Sequence, residues 1–76
     1  MIEPYKPNVI VGRNICARRR ALGYSRVKLG QMVGRDQWWV RRIEAGQDPS
    51  PDELYSLSDA LKISSPEILL KANAFL

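Results

Sequence analysis

The stretch that decides the fold is RVKLGQMVGRDQWWVRRI, residues 26–43. Two short helices packed at a steep angle through a tight turn need a small residue where their backbones meet. The turn needs a residue that tolerates positive φ, and the second helix needs apolar side chains on its inner side. Gly30 meets the first requirement, Gly34 the second, and Val40 with Ile43 the third. Asp36 is placed to accept the free N–H groups that open the second helix. A single glycine would carry little weight, but these constraints are met together.

Working outward, the rest of the chain spells out the starts and stops of short helices. Ser25 predicts the cap of a helix carrying Leu29, Met32 and Val33, ended by Gly34. Asp36 opens the next, with Trp39, Val40 and Ile43 inward and Gly46 closing it. Upstream, Asn8 is positioned to cap a first helix whose Val11, Ile15 and Leu22 share a face, with Gly23 as its left-handed end. Downstream, Ser50-Pro51-Asp52-Glu53 reads as an N-cap, a proline at the first helical position and a capping-box glutamate, followed by Leu54, Leu57, Ala60 and Leu61. Ser65-Pro66-Glu67 opens a fifth helix carrying Ile68, Leu69 and Ala72. Every link is short, so the elements fold back on one another. The expectation is an all-α, compact five-helix bundle. Residues 1–7 form an arm, and residues 8–76 form a single domain with its two-helix unit at 25–45 and C-terminal helices at 51–62 and 66–74.

Composition narrows the function. A chain of 76 residues holds one domain. It has no His and one Cys, so an intramolecular disulfide is impossible and His-based catalysis is absent. No cofactor, metal or small-molecule substrate is expected, and no enzyme. No stretch approaches the roughly 20 apolar residues of a membrane span. The lone Cys16 fits a reducing, cytoplasmic setting. The net charge of +4 hides a split: ten Lys/Arg and three acids in residues 1–46 give +7, while two lysines and five acids in residues 47–76 give −3. A basic end of this kind makes nucleic acid the first partner to test, against a merely uneven surface.

The residues also carry a resemblance. Gly12-x-x-Ile15-x-x-x-Arg19, then Gly23-Tyr24-Ser25, Leu29-Gly30-x-x-Val33-Gly34, and Val40-x-x-Ile43-Glu44-x-Gly46 with Pro49 resemble the phage repressor and Cro-like (XRE) helix-turn-helix family of bacterial and phage transcription regulators. The match covers roughly residues 9–70. The resemblance implies a lambda-repressor-like DNA-binding domain, commonly dimeric on a two-fold operator. It also implies a buried ion pair between Arg19 and Glu44. The chain departs from the family at Gly30, where alanine is usual. That glycine should loosen helix two by up to about 1 kcal/mol. Lys28 stands where an acid is common, and the loop after the third helix, Gln47-Asp48-Pro49-Ser50-Pro51-Asp52, is acidic where relatives are often basic.

Helical geometry predicts the DNA-facing side. With Val40, Ile43 and Glu44 inward, Gln37, Trp38, Arg41, Arg42 and Ala45 point outward. Gln37 can pair with adenine, and Arg41 or Arg42 with guanine, in the major groove. Consecutive helical positions diverge by about 100°, so Trp39 goes to the core edge and Trp38 outward. There Trp38 meets a thymine methyl, a sugar or another protein. Arg26 and Arg35 are the expected phosphate clamps, then Lys28, with Gln47 beyond the recognition helix. Arg18 and Arg20 read as solvated charges. The apolar tail, with Leu69, Leu70, Phe75 and Leu76, either caps the monomer core or forms a dimer surface. The resulting expectation is a sequence-specific regulator of double-stranded DNA, a homodimer with a possible second regulatory protein as partner and nucleoid-associated when bound. The alternative is a protein-interaction module, such as an antitoxin that neutralises a partner.

Overall fold

The computed structural model describes residues 7–72 and 74–75. Four α-helices follow in order: α1 Pro7–Ala21, α2 Arg26–Met32, α3 Gln37–Glu44 and α4 Pro51–Ala60, with a 3-10 helix at Pro66–Leu70. The all-helical architecture agrees with the sequence reading. No strand occurs among the described residues.

The caps explain most of the boundaries. Ser25 accepts from the Lys28 N–H, Asp36 from Trp39 and Ser50 from Glu53, with the reciprocal Glu53 bond completing a capping box. Gly34, at φ 72°, turns the chain out of α2. There Gly34 N–H reaches Gln31 O at 3.3 Å and Arg35 N–H reaches Gly30 O at 2.7 Å, using carbonyls the helix leaves unpaired.

Three expected boundaries move. Asn8 does not cap α1, which already begins at Pro7; it lies inside the first turn and its amide donates to Gly46 O, tying α1 to the end of α3. The arm expected at 1–7 otherwise lies outside the described residues. The helix expected at 51–62 ends at Ala60, because Lys62 adopts φ 58° and closes it in the left-handed way without a glycine. Arg18, expected to be a solvated charge, instead donates from Nε to Leu61 O at 2.9 Å and caps that end. Its guanidinium also lies 5.7 Å from the centre of the Phe75 ring.

The fifth element is a short 3-10 helix rather than a helix over 66–74, and the reason is Asn14. Its buried amide donates to Leu69 O and Lys71 O, both at 2.8 Å, taking carbonyls that a longer helix would need for itself. Leu69 is fully buried within the monomer. It therefore cannot belong to a dimer surface, as one reading of the tail had it; burial in the core is what its apolar chain achieves.

The core is Val11, Ile15, Leu29, Trp39, Val40, Ile43, Leu57, Leu61 and Leu69. Met32, carried on α2 with Leu29 and Val33, is exposed. Leu29 and Val33, four residues apart, share the inner face of α2 and leave Met32 on the rim. Two glycines allow the backbones to approach. A Cβ on Gly12 would lie 2.5 Å from Ile43 O, and one on Gly30 would lie 2.9 Å from Arg35 O and Asp36 O. Gly30 therefore does more than loosen α2. It is the only side chain size that fits this turn as it stands.

Candidate nucleic-acid interface

Helix α3 presents the outer surface, and its orientation follows from local rules. Asp36 Oδ1 accepts the Trp39 N–H at 2.8 Å and fixes the first turn. Trp39, Val40 and Ile43 are buried against the core. A helix held on that side must turn the intervening positions outward. Gln37, Trp38, Arg41, Arg42 and Ala45 are all exposed, and Trp38 keeps 56% of its surface. The two tryptophans diverge as their spacing requires: one in the core, one in the open.

Behind α3 lies a small ionic cluster centred on Glu44, whose side chain is only 4% exposed. Arg19 from α1 reaches Oε2 through Nε at 2.6 Å and Oε1 through Nη2 at 3.3 Å. Its Nη1 donates to Tyr24 O at 2.9 Å, so the guanidinium ties α1, the following turn and α3 together. The hydrogen bond to Glu44 raises the Arg19 pKa further above its ordinary value, outweighing the opposing effect of burial. The pair implied by the family resemblance is present.

A second arginine was missed by sequence reasoning. Arg26 Nε donates to Glu44 Oε1 at 3.0 Å, while 38% of the Arg26 side chain stays exposed. No local spacing announces it, because the two arginines that share Glu44 lie on different helices. The cluster holds two cations and one anion, so one positive charge is left over.

Arg35 has a different fate. Its Nη2 donates to Glu53 Oε2 at 2.7 Å, and its guanidinium lies 5.3 Å from the centre of the Trp39 ring. Glu53 is further held by the Ser50 N–H at 2.8 Å. That backbone bond above all, with the Ser50 hydroxyl and the Arg35 charge, keeps the Glu53 carboxyl below the usual carboxylate range. Lys28 and Gln47 are exposed. Leu70 is exposed and Phe75 is partly buried against the core; Leu76 lies outside the described residues. Among the described residues, no three His, Cys, Asp or Glu gather as metal ligands, and no helix is long and apolar enough to cross a membrane.

Comparison with known proteins bears on the family and the fold. A helix-turn-helix family profile matches residues 17–68, which takes in the end of α1, all of α2, α3 and α4, and the start of the 3-10 helix. The crystal structure of the restriction-modification controller protein C.AhdI from Aeromonas hydrophila superposes with a TM-score of 0.77 at 30% identity, covering 86% of this chain and 98% of that one. No curated protein sequence matches the chain.

Proposed function

Because the chain belongs to the helix-turn-helix family of Cro-like (XRE) transcription regulators and is a DNA-binding protein of that kind, we propose that it reads a two-fold operator as a homodimer through α3. The observation that carries this reading is the outer face of α3, where Gln37, Trp38, Arg41 and Arg42 stand exposed on a helix anchored from behind by Trp39, Val40, Ile43 and Glu44. A rigidly held helix is what base recognition requires, because a side chain about 1 Å out of place loses a bidentate hydrogen bond.

In the proposed complex, α3 enters the major groove. Gln37 pairs with an adenine edge and Arg42 grips guanine O6 and N7; Arg41 takes a base or a phosphate, and Trp38 packs on a thymine methyl. Lys28, Gln47 and the exposed part of Arg26 touch the phosphates, and Arg35 reaches them only by leaving Glu53. The second subunit places its own α3 about 34 Å away, one helical turn along the duplex. Leu70 and Phe75 remain as the dimer contacts of the tail once Leu69 is assigned to the core. The similarity to a restriction-modification controller supports a regulator of gene expression rather than an enzyme.

Selection of bound duplexes from a random pool tests this reading. An enriched palindrome is expected; enrichment without two-fold symmetry would remove the dimer, and no enrichment would remove operator recognition. Within the selected site, Arg42→Ala should cost about 1–3 kcal/mol and relax one base position. Equal loss on every sequence would make Arg42 a phosphate contact instead.

A further inference from the structure

The Arg35–Glu53 pair occupies a position that the DNA-binding reading leaves unexplained. Arg35 lies in the turn between α2 and α3, where the phosphate backbone would pass, yet its guanidinium is already bonded to a carboxylate. That carboxylate is not a mobile surface group. Its other oxygen is held by the Ser50 N–H in the capping box of α4, and the Trp39 ring bounds Arg35 from a second side. The anion in the Arg35 fork is therefore built into the fold.

We propose that Glu53 acts as an intramolecular stand-in for a DNA phosphate and restrains sequence-independent DNA binding through Arg35. This rests on the DNA-binding reading above. A carboxylate and a phosphate oxygen compete for the same guanidinium donors. While Glu53 holds Arg35, the pair brings no net positive charge to the duplex. When a phosphate takes Arg35, the Glu53 carboxylate is left beside the DNA backbone and repels it. Either way the arginine adds almost nothing to the release of counterions that drives non-specific binding. An exposed pair of this kind is weak enough for exchange, since Arg35 keeps 47% and Glu53 23% of their side-chain surface.

Glu53→Gln tests the proposal, because the glutamine amide oxygen can still accept the Ser50 N–H and keep the capping box. A single cooperative thermal melt verifies the fold. Affinity for a duplex of arbitrary sequence is then measured across a salt series for the parent, Glu53→Gln, Arg35→Ala and the double variant. Glu53→Gln should bind more tightly at low salt, with a log affinity against log salt slope steeper by about 0.9, the equivalent of one added phosphate contact. From about 50 to about 200 mM salt it should lose roughly threefold more affinity than the parent. The gain should largely disappear when Arg35 is also alanine. An unchanged slope, weaker binding, or the same gain without Arg35 would overturn the proposal. A parent protein that binds no duplex at all would instead overturn the DNA-binding reading beneath it.

Discussion

Two glutamates, each bonded to arginine, do opposite things in this molecule. Glu44 is sealed between α1, α2 and α3 and takes two guanidinium groups. Glu53 sits at the open start of α4 and takes one. In the first region, the carboxylate and Arg19 are desolvated together, so removing Arg19 leaves a charge with little water to replace it. In the second, water can replace either partner at small cost. The charge balance differs as well. The Glu44 cluster retains one surplus cation through Arg26, whereas the Glu53 pair is neutral. The same chemical contact is architecture where it is buried and an adjustable element of surface charge where it is exposed.

The largest effect is expected at the buried cluster. Arg19→Ala removes the main partner of Glu44 and should lower stability by about 3 kcal/mol, with Arg26 sparing part of the loss. For a domain of this size the melting temperature should fall by more than about 10 °C. A loss below about 1 kcal/mol would mean that Arg26 alone can hold Glu44, and the contrast between the two regions would weaken.

Next in size is Gly12→Ala, which pushes a methyl toward the carbonyls of Ile43 and Glu44. Separating α1 from α3 should cost about 1–3 kcal/mol and show in denaturant melts. A neutral result would show that the two helices can part without disturbing the cluster.

Arg26→Ala should cost about 1 kcal/mol or less in stability. Its effect belongs in DNA binding, where the lost surplus cation should flatten the salt dependence by about 0.9 on every sequence. An unchanged slope would place Arg26 with Arg35 as a neutralised charge.

The smallest effect is acid dependence at Glu53. Its carboxyl titrates below the usual 4.5 in the folded chain. The stabilisation it brings is therefore present above about pH 4.5 and is lost as pH falls through the lower folded value. Melting temperatures of the parent and Glu53→Gln should differ at pH 5 and converge as the pH is lowered through the folded value. A constant gap would show that the carboxylate charge contributes nothing there.

Much of the helix grammar was legible because it is local. Ser25, Asp36 and Ser50 each satisfy an N–H three residues away, and Gly34 turns the chain within its own neighbourhood. The exposed face of α3 was legible for the same reason, since the positions of Val40 and Ile43 fix where Arg41 and Arg42 point. The end of α4 was not. It combines a left-handed Lys62 with Arg18, more than forty residues earlier, reaching the Leu61 carbonyl. The end of the last helix depends on Asn14 in the same way, at a separation of 55 residues. Neither side chain carries a sequence signal for its partner, because any arginine or asparagine in a helix looks alike until the chain is folded.

Taken alone, the amino-acid sequence determined the helical class, the two-helix corner at 25–45 and the outward set on α3, because periodicity, caps and glycine placement act over one or two turns. Only the tertiary structure decided which basic residues keep their charge for a partner. That outcome depends on which carboxylate each arginine meets across the fold. Glu44 meets two arginines and leaves one cation over, while Glu53 meets Arg35 and leaves none. Charge counted along a chain is fixed by composition; charge available at a surface is fixed by distance and burial.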